Sequence, residues 1–217
     1  MLKLVIGDKQ LSSWSLRPWM LLRHIGLPFE EIRLPLDTPR FRDEIGRYSP
    51  SRRVPALLDG QLTVWDSLAI CEYLSERAGG AGWPPDDADR AVARSISAEM
   101  HSGFTALRSA WSLRAGDRGL DVPLDAAGRA DLARIDAIWS DCLARGGNTG
   151  PWLFGRHYCI ADAMYAPVVL RFNTYGATLS PPARAYFERA MTDPHLLEWI
   201  EGARREIAEE GRPAGHP

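Results

Sequence analysis

The stretch RRVPALLDGQLTVWDSLAICEYL (52–74) decides the fold of this 217-residue chain. Two apolar runs, Ala56–Leu58 and Leu62–Val64, flank Asp59-Gly60, which is a hairpin signal. A helical pattern follows over 66–77, with Asp66 or Ser67 as its N-cap and Gly79-Gly80 past its end. Upstream, Leu2–Ile6 reads as a buried strand and Gly7–Leu11 as a polar loop. Ser12, Ser13 and Ser15 offer capping oxygens before a helix over Leu16–Ile25, with Pro18 in its first turn and Gly26 as its C-cap. Phe29–Leu34 alternates as a second strand, and Arg40–Arg47 is a weak helix at best. Residues 1–78 thus make a small α/β unit.

Downstream the composition changes. GGAGWPPDDAD (79–89) is a Gly/Pro/Asp stretch, so 79–86 is read as a linker. From 87 to 217 the pattern is helical throughout: Asp89–Arg114 as one long helix, Asp125–Arg145 stopped by Gly146-Gly147, a buried Cys159–Arg171, then Pro181–Met191 and Asp193–Glu210. No strand is expected after residue 80. The expected architecture is an α/β domain followed by an all-α domain.

Composition removes several alternatives. With 45% hydrophobic and 25% charged residues the chain is an ordinary globular one. A net charge of −2 gives no general basic field for nucleic acid or an anionic membrane. The positive charge is almost all Arg, since only Lys3 and Lys9 are lysines. Cys71, Cys142 and Cys159 are odd in number and widely spaced, which suits a reducing cytosol and buried thiols rather than a disulfide framework or a zinc site. His24, His157, His195 and His216 form no spaced ligand set, so no metal is expected. The apolar run at Leu2–Ile6 is too short for a signal peptide, and no stretch approaches the roughly 18 apolar residues of a membrane span.

Val54-Pro55-Ala56-Leu57, followed by Asp66-Ser67-Leu68-Ala69-Ile70 and Tyr73-Leu74, resembles the thioredoxin-fold half of the cytosolic glutathione transferases. Ser12-Ser13-Trp14-Ser15 resembles their serine-type members, nearest to the zeta class of maleylacetoacetate isomerases, which carries Ser-Ser-Cys there. Gly155, Ile160-Ala161-Asp162 and Pro167 resemble the family's helical-domain motif. The resemblance spans essentially the whole chain. It implies an N-terminal thioredoxin-like glutathione-binding domain, an all-helical domain contributing the electrophile site, and a cytoplasmic homodimer working in detoxification.

On that resemblance Pro55 follows a cis bond and Val54 offers its backbone to the glutathione peptide as an added strand. Ser67 and the helix N-terminus would hold the γ-glutamyl carboxylate, and Asp66 would face the ammonium, while both also serve as caps. Arg52 or Arg53, with Arg40 a further candidate, would meet the glycyl carboxylate, or else lie as solvated surface charges.

The chemistry requires a thiolate, and a free thiol has a pKa near about 8.5. A serine hydroxyl at the positive end of a helix lowers it. Matching against Ser-Ser-Cys points to Ser12; the distance from Pro18 points to Ser13. Trp14 stands where zeta members have Cys. His101, Phe104, Arg108 and Trp111 would share one face of the long helix and, with Trp14, hold an apolar or carboxylate-bearing electrophile, unless that face packs into the core or against a second subunit. The function expected is glutathione transfer to a small electrophile. The alternatives are isomerisation of a maleylacetoacetate-like diacid, with Arg108 and Arg171 as anchors, and a non-catalytic binding protein of the same fold. Asp162, three residues after Cys159, is a folding determinant rather than a catalytic group.

Overall fold

The computed structural model describes residues 1–145 and 150–210. The chain enters as β1 (Leu2–Ile6), α1 (Ser13–Ile25) and β2 (Phe29–Arg33), then α2 (Pro39–Glu44) and a short 3-10 turn, Ile45–Arg47. The hairpin β3 (Ala56–Asp59) and β4 (Leu62–Trp65) leads into α3 (Ser67–Arg77). The strands form one sheet in the order β2-β1-β3-β4. β1 runs parallel to β2, with Leu4 opposite Glu31, and antiparallel to β3, with Leu4 opposite Leu57. The parallel pair needs a crossover, and α1 supplies it.

Strand alternation places the sheet between two cores. Leu2, Leu4 and Ile6 join the large cluster with α1 and α3, while Val5 joins Leu34, Ile45 and Ala56 on the other face. Lys3, between them, pairs with Glu30 at 2.9 Å. α1 starts three residues earlier than its apolar pattern suggests, because Ser12 caps it, so Pro18 lies inside the helix rather than in its first turn. Gly26 ends it at φ 71°.

The helical half consists of α4 (Asp87–Ser102), α5 (Thr105–Ala110), α6 (Ala126–Ala144), α7 (Ile160–Tyr175), α8 (Pro181–Met191) and α9 (Pro194–Glu210). The continuous helix expected over Asp89–Arg114 does not form. Gly103 is extended and Phe104 takes φ 57°, which ends one helix and starts another. A Cβ on Gly103 would meet the Glu99 carbonyl oxygen at 2.8 Å, so the break needs glycine. Gly146 and Gly147, expected to stop α6, lie outside the described residues. Beyond residue 80 the only pairing among the described residues is an isolated bridge between Trp152 and Gly155.

α7 is buried along nearly its whole length and packs on α1, so one hydrophobic cluster runs through both halves of the chain. Trp19 meets Trp199 edge-on at 5.3 Å. Fully burying a large apolar side chain is worth about 1.5–3 kcal/mol. The exposed ion pair Arg23–Glu198 beside it contributes about 0–1 kcal/mol, so packing holds the halves together. The 79–86 stretch is pinned at its middle to both halves: Ile160 N–H donates to the Gly82 carbonyl at 2.7 Å and Trp83 Nε1 to Glu72 at 2.9 Å. At the far edge, Lys9 N–H donates to Glu206 at 2.7 Å and the Lys9 carbonyl accepts from Trp199 Nε1 at 2.8 Å. Gly202 allows this approach, since a Cβ there would lie 2.6 Å from Lys9 Cδ.

Asp162 is buried and accepts from Cys159 N–H (2.9 Å), Leu153 N–H (3.1 Å) and Tyr186 Oη (3.0 Å). Asp162→Ala removes the shared acceptor of all three donors and should lower unfolding free energy by about 2 kcal/mol or more in denaturant titrations. A midpoint equal to wild type would contradict this.

Glu206 gives a pH signature. Burial pushes its carboxyl from 4.5 up to about 7, against the pull of Arg33 and Lys9. The folded chain therefore holds an extra proton between about pH 4.5 and about 7, and stability falls as pH rises through that window. Comparing Glu206→Gln with wild type by Tm against pH should show that fall reduced in the variant.

Candidate functional site

A cavity of about 450 Å³ opens where the two halves meet, lined by Trp14, Ser51, Arg53, Val54, Pro55, Trp65, Asp66, Ser67 and His101. Its floor follows from three local structures. The Val54–Pro55 peptide bond is cis, immediately before β3. α3 then begins on Asp66, whose φ of 75° is left-handed and whose Oδ1 accepts from Leu68 N–H at 2.9 Å and Ala69 N–H at 3.2 Å. Non-glycine residues in that region cost of order 1–3 kcal/mol and cluster at functional sites. The Ser67 hydroxyl, at the first position of α3, is buried with no hydrogen-bond partner.

The third local structure is the start of α1. Ser12 Oγ lies 2.7 Å from Ser15 Oγ and 3.4 Å from Ser15 N–H, and Ser15 Oγ accepts from Gly7 N–H at 3.2 Å. Both serines at 12 and 13 are buried. Of this segment only Trp14 lines the cavity. Two guanidinium groups lie over its rings, Arg17 at 4.3 Å and Arg108 at 4.6 Å, and His101 meets it edge-on at 5.2 Å.

The electrostatics are lopsided. Arg17 is 1% exposed, and its Nε and Nη1 have no hydrogen-bond partner. Burial, together with Arg108 and Arg171, pulls its guanidinium down to about 9. Burial also lowers Arg108. No ion pair to Arg17, Arg108 or Arg171 forms among the described residues. The negative group on the cavity wall that acts on Arg17 is Asp66, which His101 Nε2 approaches at 3.1 Å. Burial chiefly, then Arg17 and Arg108, lower the His101 pKa against the opposing pull of Asp66.

Arg53, Val54, Pro55, Asp66, Ser67, Trp14 and His101 are thus brought together at one cavity. Others go elsewhere. Arg40 pairs with Glu44 at 3.0 Å, and Arg52 donates to the Arg42 carbonyl at 2.8 Å. The shared face of His101, Phe104, Arg108 and Trp111 is lost with the helix break. Phe104 and Trp111 are core residues, Trp111 stacking on Tyr175 and donating to the Val122 carbonyl at 2.8 Å. Arg171 is buried and spends its donors on the Trp111 (2.7 Å) and Pro167 carbonyls, so it anchors backbone rather than a diacid. Arg17, Ser51 and Trp65 were not singled out from sequence. The signal for Arg17 is a charge inside the otherwise apolar LRPWMLL (16–22), since arginine in the buried stripe of a helix calls for an explanation.

The glutathione S-transferase N-terminal domain family matches residues 11–77 and the C-terminal domain family residues 91–202. Maleylacetoacetate isomerase of Rattus norvegicus is 29% identical over 182 residues, 82% of each chain. Dichloromethane dehalogenase of Methylorubrum extorquens is 43% identical, but over only 63 residues, 27% of this chain and 21% of that one. Among solved structures, a glutathione transferase homologue from Burkholderia with bound glutathione superposes with a TM-score of 0.69 at 25% identity, covering 94% of this chain and 98% of that one. A bacterial maleyl pyruvate isomerase of the zeta class shares the fold, with a TM-score of 0.71 at 21% identity, covering 93% and 97%.

The buried, unpaired Arg17 generates a stability test. Replacing such a charge by an apolar side chain of similar length is often neutral or stabilising. Arg17→Met should leave Tm unchanged or raise it; a fall of many degrees would show that the guanidinium holds the site together.

Proposed function

The chain belongs to the glutathione S-transferase family, and from that premise we propose that it holds glutathione in the Trp14–Ser67 cavity and directs its thiolate at a small electrophile. The observation that carries this is the Ser67 hydroxyl, buried without a partner at a helix N-terminus on the cavity wall. A carboxylate satisfies both the hydroxyl and the helix end. The roles follow. Ser67 takes the γ-glutamyl carboxylate and Asp66 the ammonium. The Val54 backbone pairs with the cysteinyl unit as an added strand. Arg53, the arginine that lines the cavity, takes the glycyl carboxylate.

Ser12 is the stronger candidate for the thiol. When Ser15 Oγ donates to Ser12 Oγ, the Ser12 oxygen accepts twice and its own proton is left to donate. A hydroxyl polarised in this way, at the positive end of α1, favours thiolate over thiol. The thiolate then attacks the electrophile; the new bond is to sulfur, and the leaving group departs with its electron pair or the added carbanion takes up a proton.

Isomerisation of a diacid is the second reading, favoured by Arg108, whose half-buried guanidinium over Trp14 has no ion-pair partner among the described residues. Thiolate addition to the double bond, rotation and loss of the same thiolate would leave glutathione unchanged. A homodimer belongs to the same proposal: Leu62 and Trp65 on the edge strand β4 are each 48% exposed and offer apolar surface to a second copy. Three buried cysteines, none of them in a disulfide, suit a reducing, cytoplasmic setting.

The test is the absorbance of bound thiolate against pH in wild type, Ser12→Ala and Ser13→Ala. The expected outcome is a bound-thiol pKa raised by about one unit in Ser12→Ala and little changed in Ser13→Ala. The reverse pattern would move the role to Ser13. Failure of wild type to bind glutathione would reject the proposal.

A further inference from the structure

Building on the glutathione site proposed above, we propose that His101 is a positioning residue: it holds Asp66 across the boundary between the two halves and, by taking up a proton, weakens glutathione binding. His101 comes from α4 and Asp66 from the start of α3, and no sequence spacing relates them. Their contact is 3.1 Å, from Nε2 to Oδ2. Asp66 Oδ1 is already taken by Leu68 and Ala69 N–H, so the carboxylate is held at both oxygens, one by each half of the chain.

The geometry selects the neutral imidazole. Its Nε2 faces Asp66 Oδ2 at 3.1 Å, where a neutral Nε2–H suffices, while Nδ1 is buried with no hydrogen-bond partner. A proton added at Nδ1 would be a buried donor lacking an acceptor, which is costly. The charged groups facing the ring are Asp66 from α3, Arg17 from α1 and Arg108 from α5. Burial and the two guanidiniums disfavour the imidazolium, and Asp66 favours it. In the neutral state Asp66 keeps its whole negative charge for the ligand's ammonium. In the protonated state an imidazolium cancels that charge and stands beside a second cation. Linkage then requires that bound glutathione loosen the His101 proton by the same factor.

The probe is S-methylglutathione, which keeps the ammonium and both carboxylates but has no thiol to ionise. Its Kd is measured by calorimetry from about pH 8 to about pH 5, spanning the histidine range, on wild type and on His101→Gln, whose amide keeps a neutral donor. Wild-type affinity should weaken about two- to fivefold as pH falls, the range of one partly exposed charge pair, while His101→Gln stays flat. In parallel, the His101 C2 proton resonance, assigned by its loss in the variant, should titrate at lower pH when S-methylglutathione is bound. That measurement needs no variant to fold well. The same pH dependence in both proteins, with an unmoved titration, overturns the proposal and leaves the glutathione site standing. No binding of the probe at any pH overturns both.

Discussion

Helix Ser13–Ile25 is packed on two sides at once within the large cluster. Its faces pack on the sheet and α3 on one side and on α7 on the other, so Trp19, Met20, Leu21 and Leu22 are all essentially inaccessible to water. An amphipathic surface helix would tolerate sliding; a helix buried on two sides does not, because interiors are close-packed and every shift opens a void. The start of that helix is therefore a fixed point, and Ser12, Ser13 and Trp14 are set by packing several residues away. This is how a sheet of four short strands can hold the start of that helix steady.

The same burial creates the site's charge imbalance. Arg17 lies in the buried stretch of α1 and Arg108 reaches over Trp14 from α5, with no acid paired to either among the described residues. Positive charge held in a poorly solvated place raises the local potential for any anion that enters, be it a thiolate or a carboxylate. Asp66 counters it from one side only and is itself shared with His101. The cavity thus has a positive side, at Trp14 with its two guanidiniums, and a negative point at the head of α3. On the function proposed above, a zwitterionic peptide with a reactive sulfur would meet opposite charge at both.

Most of the first half was legible along the chain. Leu2–Ile6, the Asp59-Gly60 hairpin and the Asp66 cap are local features, governed by alternation, turn chemistry and capping within a few residues. The helical half was legible in outline but not in its break. The sequence HSGF (101–104) reads as a tolerable glycine inside a helix, whereas the chain turns there because Phe104 fills the core and Gly103 can pass close to the Glu99 carbonyl. With that turn Phe104 and Trp111 leave the face they would share with His101 on a continuous helix.

By itself, then, the sequence determined the order of elements, the family and the residues at the sheet end of the site, since each rests on neighbours in the chain. Tertiary structure alone decided which arginine faces the cavity, that Arg171 is spent on carbonyls, and that His101 meets Asp66. His101 and Asp66 are 35 positions apart, and Arg171 and the Trp111 carbonyl 60. No local periodicity encodes such distances; they follow from how buried helices fit against one another.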